Sequence, residues 1–153
     1  MSEVGGPGFD AIDQAVIACL IADARATFAV IGAQVGLSAS AAKRRVDRLV
    51  GQGAIRGFTA VVDPGVLGWR TEAYVEVYCK GKVFASDLRR AFIDIPEVAS
   101  ACTLTGKADA LLHVLARDVG HLEQVLGQIR AVDSVDATRS EIVLSSLISR
   151  ATV

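Results

Sequence analysis

The sequence predicts an α+β protein with two domains, three helices followed by a β-α-β-β-α-β arrangement. Apolar residues recur every three or four positions up to about residue 50, and after Gly68 they alternate with a period of two. Hydrophobic residues make up 52% of the 153 positions, which requires a large buried core or subunit interface. We expect a flexible arm at 1–8, a helical domain at 9–52, a β element and linker at 53–69, and a second domain at 70–153.

The helical domain contains three start signals and two stop signals. Asp10 stands where an N-cap belongs, and Asp13 lies in the acidic first turn that follows it. A second helix is predicted from Thr27 to Val35, and it ends at Gly36 because glycine takes the left-handed conformation that helix ends favour. A third helix runs from Ser38 to Val50 and ends at Gly51.

The segments that follow have the residue types of strands and helices in alternation. Residues 53–64 (GAIRGFTAVVDP) predict a small β element with turn glycines at both ends. A helix that ends at Pro96 separates a strand at 73–79 from a hairpin, whose strands are Val98–Leu104 and Ala110–Ala116. A helix from Val119 and a last strand at 142–148, with some upstream residues, complete the ferredoxin-like β-α-β-β-α-β order.

This fold covers one face of its sheet with helices and leaves the other face open. Both sets of side chains on the predicted strands are apolar or aromatic, so the open face is expected to be an interface. We therefore predict a homodimer through the second domain, with further assembly. The alternative is that the helical domain covers this face within one chain.

Several classes of protein are excluded by composition. The chain has neither a signal peptide nor an apolar run of 18 residues, so we expect a cytoplasmic protein without a membrane partner. Cys19, Cys79 and Cys102 are widely spaced and form no C-x-x-C pair, which indicates reduced thiols and no metal site.

The net charge of −1 conceals a basic segment. Residues 24–62 hold six Lys and Arg and one acid, 6 − 1 = +5, so the rest of the chain carries −6. Arg44 and Arg48 are predicted to project together from the third helix, opposite its apolar face, with Arg45 on the flank. Such a helix fits the major groove of double-stranded DNA, although a solvated basic face on a plain three-helix core is the alternative.

The turn before the basic helix supports the DNA-binding interpretation. Gly32 and Gly36 are four residues apart and are followed by Leu37 and Ser38, which is the spacing of a helix-turn-helix. With the β element behind it, the motif becomes a winged helix-turn-helix. The candidate DNA contacts are Arg25, Ser38, Ala39, Ser40, Lys43, Arg44, Arg45 and Arg48.

From about Phe9 to the C-terminus, the chain resembles the Lrp/AsnC, or feast/famine, transcriptional regulators. The matching elements of the first part are Asp10, Asp13, Arg25, Gly36-Leu37-Ser38, Arg45-Val46, Leu49, Gly53, Ile55, Gly57-Phe58, Asp63-Pro64 and Leu67-Gly68. Those of the second part are Pro96-Glu97-Val98, Thr105-Gly106, Asp109, Thr138, Ser140, Ile142 and Leu144. Gly32 and Ala42 depart from the family pattern, and glycine at position 32 should weaken its helix by about 1 kcal/mol relative to alanine.

The resemblance implies dimers that assemble further, up to an octamer. It also implies a small-molecule effector, an amino acid or a related compound, bound between subunits near the hairpin, and no other cofactor. The candidate contacts are Thr103, Leu104, Thr105, Gly106, Asp109, Thr138, Arg139 and Ser140. Independently, a glycine turn exposes backbone groups and Asp109 adds a charge that an amino acid could use. The alternative is that Gly106 and Asp109 only form a tight turn.

Two other functions are compatible with the same architecture. Siroheme decarboxylases share it and use histidine and arginine, whereas this chain has only His113 and His121 and contains no catalytic constellation. A stand-alone amino-acid sensor would not need Arg44, Arg45 and Arg48. We therefore expect a DNA-binding transcriptional regulator that is not an enzyme.

Overall fold

A computed structural model describes residues 8–148 of the chain. The described residues form two compact units that divide after Val61. Each unit has a hydrophobic core of its own. Within the described part, no helix is long and apolar enough to cross a membrane.

The first unit contains the three predicted helices, Ala11–Ala22 (α1), Phe28–Val35 (α2) and Ala39–Gly51 (α3). Side-chain oxygens of the predicted caps each accept a hydrogen bond from the backbone N–H three residues further on. These caps are Asp10, Thr27 and Ser38. The core that joins the helices consists of Val16, Ile31, Ala42, Val46 and Leu49. The predicted helix-turn-helix is therefore confirmed.

The β element that the sequence predicts after α3 is not a strand in the structure. Residues 56–63 have no regular secondary structure, and a short 3-10 helix follows at Pro64–Leu67. Phe58, Val61 and Val62 are exposed. A strand is defined by hydrogen bonds to a neighbouring strand, and no described segment pairs with these residues.

The second unit has the predicted β-α-β-β-α-β order. Its elements are Thr71–Cys79 (β1), Ala85–Phe92 (α4), Val98–Thr103 (β2), Ala110–Ala116 (β3), Val119–Arg130 (α5) and Val135–Ile142 (β4). The strands are ordered β2-β3-β1-β4, and each neighbouring pair is antiparallel. Within the sheet, the central strands β1 and β3 carry most of the buried side chains.

Two predicted boundaries are corrected. The last strand, β4, consists of the upstream residues of the predicted strand and ends at Ile142, whereas the prediction continued to Ile148. Ile142 pairs with Ala73, close to the beginning of the partner strand β1. Val143 N–H still donates to the carbonyl oxygen of Glu72 at 2.8 Å, and residues 144–148 have no strand structure. The helix before Pro96 ends at Phe92, and Ile95, whose position before proline disfavours the helical conformation, lies outside it.

The two faces of the sheet differ in chemistry. Val75, Leu112 and Val114 are fully buried on the face that α4 and α5 cover. The opposite face was expected to be apolar or aromatic, but it is mixed: Tyr74 is 43% exposed there, beside charged groups on β1, β3 and β4. Those groups are Glu72, Glu76, His113, Arg139 and Glu141. Period-two alternation identifies the two faces of a strand, but it does not make the outer face apolar, because several of its positions hold polar residues.

Candidate DNA-binding helix and effector hairpin

The basic helix α3 is anchored by its apolar face and by its first turn. Ala42, Val46 and Leu49 are buried against α1 and α2. At the N-terminal end, Ser38 Oγ accepts from the backbone N–H of Ala41 at 3.2 Å. Ser38, Ala39 and Ser40 are exposed, so this end of the helix is accessible to a large ligand.

The turn between α2 and α3 approaches the middle of α2 closely. Gly36 has a φ of 73°, the left-handed conformation that was predicted for it. A Cβ atom at Gly32 would lie 2.5 Å from the carbonyl oxygen of Leu37, and Leu37 N–H donates to the carbonyl oxygen of Gly32 at 2.8 Å. The close contact therefore requires glycine at position 32, although helix propensity alone favours alanine there.

Two arginines of α3 bind carboxylates of α1. Arg45 Nη1 donates to Asp13 Oδ1 at 2.7 Å and to both carboxylate oxygens of Asp10 at 2.8 Å. Arg48 Nη2 donates to Asp13 Oδ1 at 2.6 Å and also contacts Oδ2. The Asp13 side chain is only 1% exposed, so both arginines share one buried carboxylate.

These contacts keep the carboxylates ionised. Burial acts to raise the pKa of Asp13, but hydrogen bonds from Arg45 and Arg48, with one from the Asp10 backbone, outweigh it, and the pKa is lowered. The hydrogen bond from Arg45 is the main reason that the pKa of Asp10 is lowered as well. The pKa of Arg45 is raised in turn, so the cluster is a set of fixed charges at neutral pH.

The other two bases of α3 differ from each other. Lys43 Nζ lies 2.6 Å from Asp47 Oδ2 and 6.0 Å from the centre of the Phe28 ring. Arg44 is exposed and makes no ion pair with any residue between 8 and 148. Arg25 is exposed too, and its backbone N–H donates to Asp23 Oδ1 at 2.8 Å.

The ion pairs with Asp10 and Asp13 therefore reduce the number of unpaired basic side chains on α3. Residues 8–61 contain six bases and four acids, 6 − 4 = +2, because Asp10, Asp13 and Asp23 lie outside the range 24–62 that gave +5. The expectation that Arg44 and Arg48 project together is corrected: the guanidinium of Arg48 reaches back to α1. A helical wheel of α3 alone does not include a partner that lies 35 residues earlier in the chain.

The hairpin between β2 and β3 is tied to the neighbouring strand β1. Asp109 Oδ2 accepts from the backbone N–H of Cys79 at 2.7 Å, and Asp109 N–H donates to the carbonyl oxygen of Val77 at 2.9 Å. Leu104 N–H donates to the Asp109 carbonyl oxygen at 3.0 Å, which closes the loop. Burial raises the pKa of the Cys79 thiol, and the Asp109 carboxylate contributes to the rise.

The predicted effector residues on β4 lie in the same row of the sheet as the hairpin, but not beside it. Thr103 pairs with Ala110, Ala110 with Val77, and Val77 with Thr138. Three strand spacings of about 4.8 Å separate Thr103 from Thr138. Thr138 Oγ1 accepts from Arg130 Nε at 2.9 Å, and Arg139 Nη2 donates to Glu141 at 2.9 Å. The fold thus brings the two groups to one end of the sheet without joining them.

Both histidines have carboxylate partners in the second unit. His113 Nε2 lies 2.7 Å from Glu72 Oε1 and its ring stacks on Tyr74, with 5.0 Å between ring centres. His121 Nε2 lies 3.1 Å from Glu97 Oε1, and its ring stacks on Trp69. Among residues 8–148, no three His, Cys, Asp or Glu side chains are grouped as a metal site.

Comparisons with known proteins define the class of this chain. Residues 9–50 match the AsnC-type helix-turn-helix domain, and residues 72–153 match the Lrp/AsnC ligand binding domain. The protein is therefore a helix-turn-helix regulator with a ligand-binding domain. It belongs to the Lrp/AsnC family of transcriptional regulators, so the predicted regulator, rather than the enzyme, is confirmed.

Individual relatives support the assignment over the whole chain. The HTH-type transcriptional regulator Rv2324 of Mycobacterium tuberculosis is 53% identical over 141 residues, which cover 92% of this chain and 95% of the relative. The transcriptional regulator NMB0573 of Neisseria meningitidis, solved as a complex with L-Met, superposes with a TM-score of 0.87 at 25% identity and 95% and 96% coverage. The feast or famine regulatory protein Rv3291c of M. tuberculosis, complexed with L-methionine, gives 0.85 at 32% identity and 92% and 95% coverage.

Proposed function

We propose that this chain binds double-stranded DNA through the exposed N-terminal end of α3 and through Arg25, Lys43 and Arg44. The observation that carries the proposal is the capped, accessible start of a basic helix in a helix-turn-helix unit. Small residues at that end permit close approach to base edges, and arginine reaches phosphates or guanine. Arg44 is the base of α3 that has no ion pair within the described residues, so we assign it the main electrostatic contact.

We assign a different role to Arg45 and Arg48, which the sequence suggested as DNA contacts. Each holds the buried Asp13 carboxylate and so fixes α3 against α1. Their side chains remain 26% and 43% exposed. In this proposal they orient the helix, and any contact that they make with DNA is secondary.

The test compares Arg44→Ala with Arg48→Ala on DNA fragments recovered by selection from genomic DNA. Arg44→Ala should weaken binding and lower the slope of log affinity against log salt by about one, without a change in thermal stability. Arg48→Ala should lower the stability of the first unit and leave the salt slope unchanged. If neither variant alters affinity or slope, α3 is not the DNA-binding element.

The second unit is proposed to bind an amino acid effector and to form a homodimer that assembles further. Two structural neighbours are complexes with methionine, and this chain has the same fold over nearly its full length. The hairpin residues Thr105, Gly106 and Asp109 would contribute from one subunit, and Thr138, Arg139 and Ser140 from its partner. Such sharing fits the separation of the two groups within one chain.

The open sheet face is the proposed dimer interface. Tyr74 is 43% exposed there, and the half-buried Leu111 and Leu115 belong to the same side of β3 as His113. Sedimentation velocity with and without amino acids measures the assembly. Effector binding would then change subunit arrangement and, through it, the spacing of the recognition helices on DNA.

A further inference from the structure

The residues that follow β4 form an exposed apolar segment, residues 143–148, called here the tail segment. Its sequence is VLSSLI, which contains no charged side chain. Leu144, Leu147 and Ile148 are 96%, 91% and 75% exposed. Among residues 8–148, no other stretch of this length exposes three large apolar side chains to that degree. A concentration of exposed apolar surface is typical of an interface with another molecule.

The tail segment leaves its own sheet at the edge. Ile142 is the last paired residue of β4, opposite Ala73, and Val143 N–H donates to the carbonyl oxygen of Glu72 at 2.8 Å. Leu144 comes directly after this hydrogen bond and is already almost fully in solvent. No residue in the described part of the chain covers the tail leucines. The segment is therefore held at one end and has its apolar side chains available to a partner.

The open face of the sheet has an apolar patch of the same chemistry. Tyr74 on β1 is 43% exposed, and Leu111 and Leu115 on β3 are half-buried on the same side. Acidic side chains outnumber arginine on this face by three to one, with Glu72, Glu76 and Glu141 against Arg139. Two such faces in direct contact would bring like charges together, which is unfavourable. An uncharged segment that packs on the apolar patch avoids this repulsion.

We propose that the tail segment of one copy packs on the patch of Tyr74, Leu111 and Leu115 of a second copy, and that the exchange is reciprocal. The inference rests on the proposed homodimer and names a contact that holds it together. The partner is a second copy, because the segment turns away from its own sheet and leaves its leucines in solvent. A twofold arrangement then uses both tails and both patches.

Sedimentation velocity over a dilution series, without amino acid, tests the role of the tail. Leu144→Ser together with Leu147→Ser, the tail variant, should weaken dimerisation by about a hundredfold, since each leucine removed from water contributes about tenfold. Val119→Ser is the control, because Val119 is 63% exposed at the start of α5 on the helical side of the sheet. Its dimerisation should equal that of the wild type.

Mixing two variants tests whether the tail acts on the second copy. Tyr74→Ser, the face variant, is mixed with the tail variant, and native mass spectrometry separates the dimers by mass. A mixed dimer keeps one intact tail on one intact patch, so its formation should exceed random pairing several-fold. The tail variant mixed with Val119→Ser should pair at random. Circular dichroism spectra of each variant should match the wild type, because the substituted side chains are exposed.

The outcomes separate this inference from the proposed function. If the wild type is monomeric throughout the dilution series, the proposed homodimer itself fails. If the wild type and the tail variant dimerise with equal affinity, the homodimer stands and the tail contact is refuted. If the tail variant weakens dimerisation but pairs at random with the face variant, the tail acts within its own chain, and the inference is overturned.

Discussion

Replacing Asp13 with alanine removes the carboxylate that joins α1 to α3. The side chain is 1% exposed and accepts hydrogen bonds from Arg45 and Arg48, and it also accepts one from the backbone N–H of Asp10 at 3.1 Å. The change therefore breaks the capping box of α1 and two ion pairs at once. We expect the first unit to become less stable while the second unit is unaffected.

The loss of unfolding free energy depends on which interactions of Arg45 and Arg48 remain after the substitution. Loss of one partner from a buried ion pair costs roughly 3–5 kcal/mol, because the other charge stays buried. Here Arg48 is 43% exposed and Arg45 keeps Asp10, so water and that carboxylate replace part of the interaction. Asp13→Ala should then lower the free energy of unfolding of the first unit by about 2–3 kcal/mol.

Hydrogen exchange measured by mass spectrometry is the suitable assay. Trp69 is the sole tryptophan and lies in the second unit, so its fluorescence does not report on α1 and α3. The control is Asp47→Ala, which removes an exposed pair with Lys43 worth a few tenths of a kcal/mol. If the two variants lower the protection of α1 and α3 amides equally, the buried carboxylate does not stabilise the unit and the reasoning is wrong.

The remaining predictions concern pH and glycine. Because the pKa of Asp13 is lowered in the folded state, its ionised form stabilises the first unit above the unfolded value of about 3.9, and this contribution is lost as pH falls further. Urea unfolding at about pH 7 and about pH 3 should show a larger loss for the wild type than for Asp13→Asn, and parallel losses would contradict the assignment. Gly32→Ala should lower the melting temperature despite a helix propensity gain of about 1 kcal/mol, because its Cβ would meet the Leu37 carbonyl oxygen. Gly127→Ala, with nothing within 4 Å of its Cβ in α5, should raise the melting temperature; a rise for both variants in calorimetry would argue against the close contact.

Much of the fold follows from local rules that the sequence satisfies. Asp10, Thr27 and Ser38 cap the helices that were predicted for them, because the cap bonds reach only three residues along the chain. Period-two alternation located β1 and β3, whose inward residues are buried in one core. The strand predicted within 53–64 does not form, since β propensity does not supply a partner strand.

The candidate sites depended on contacts between distant segments. The basic character of α3 can be read from its composition, but contacts with Asp10 and Asp13, more than 30 residues earlier, set which of its arginines remain available. Likewise, the apolar residues at 142–148 can be read from the sequence, whereas only the folded chain shows that the strand ends at Ile142 and leaves residues 144–148 exposed. Local patterns set caps, periods and charge, because those act within a few residues; ion pairing and exposure are set by which surfaces meet in the folded chain.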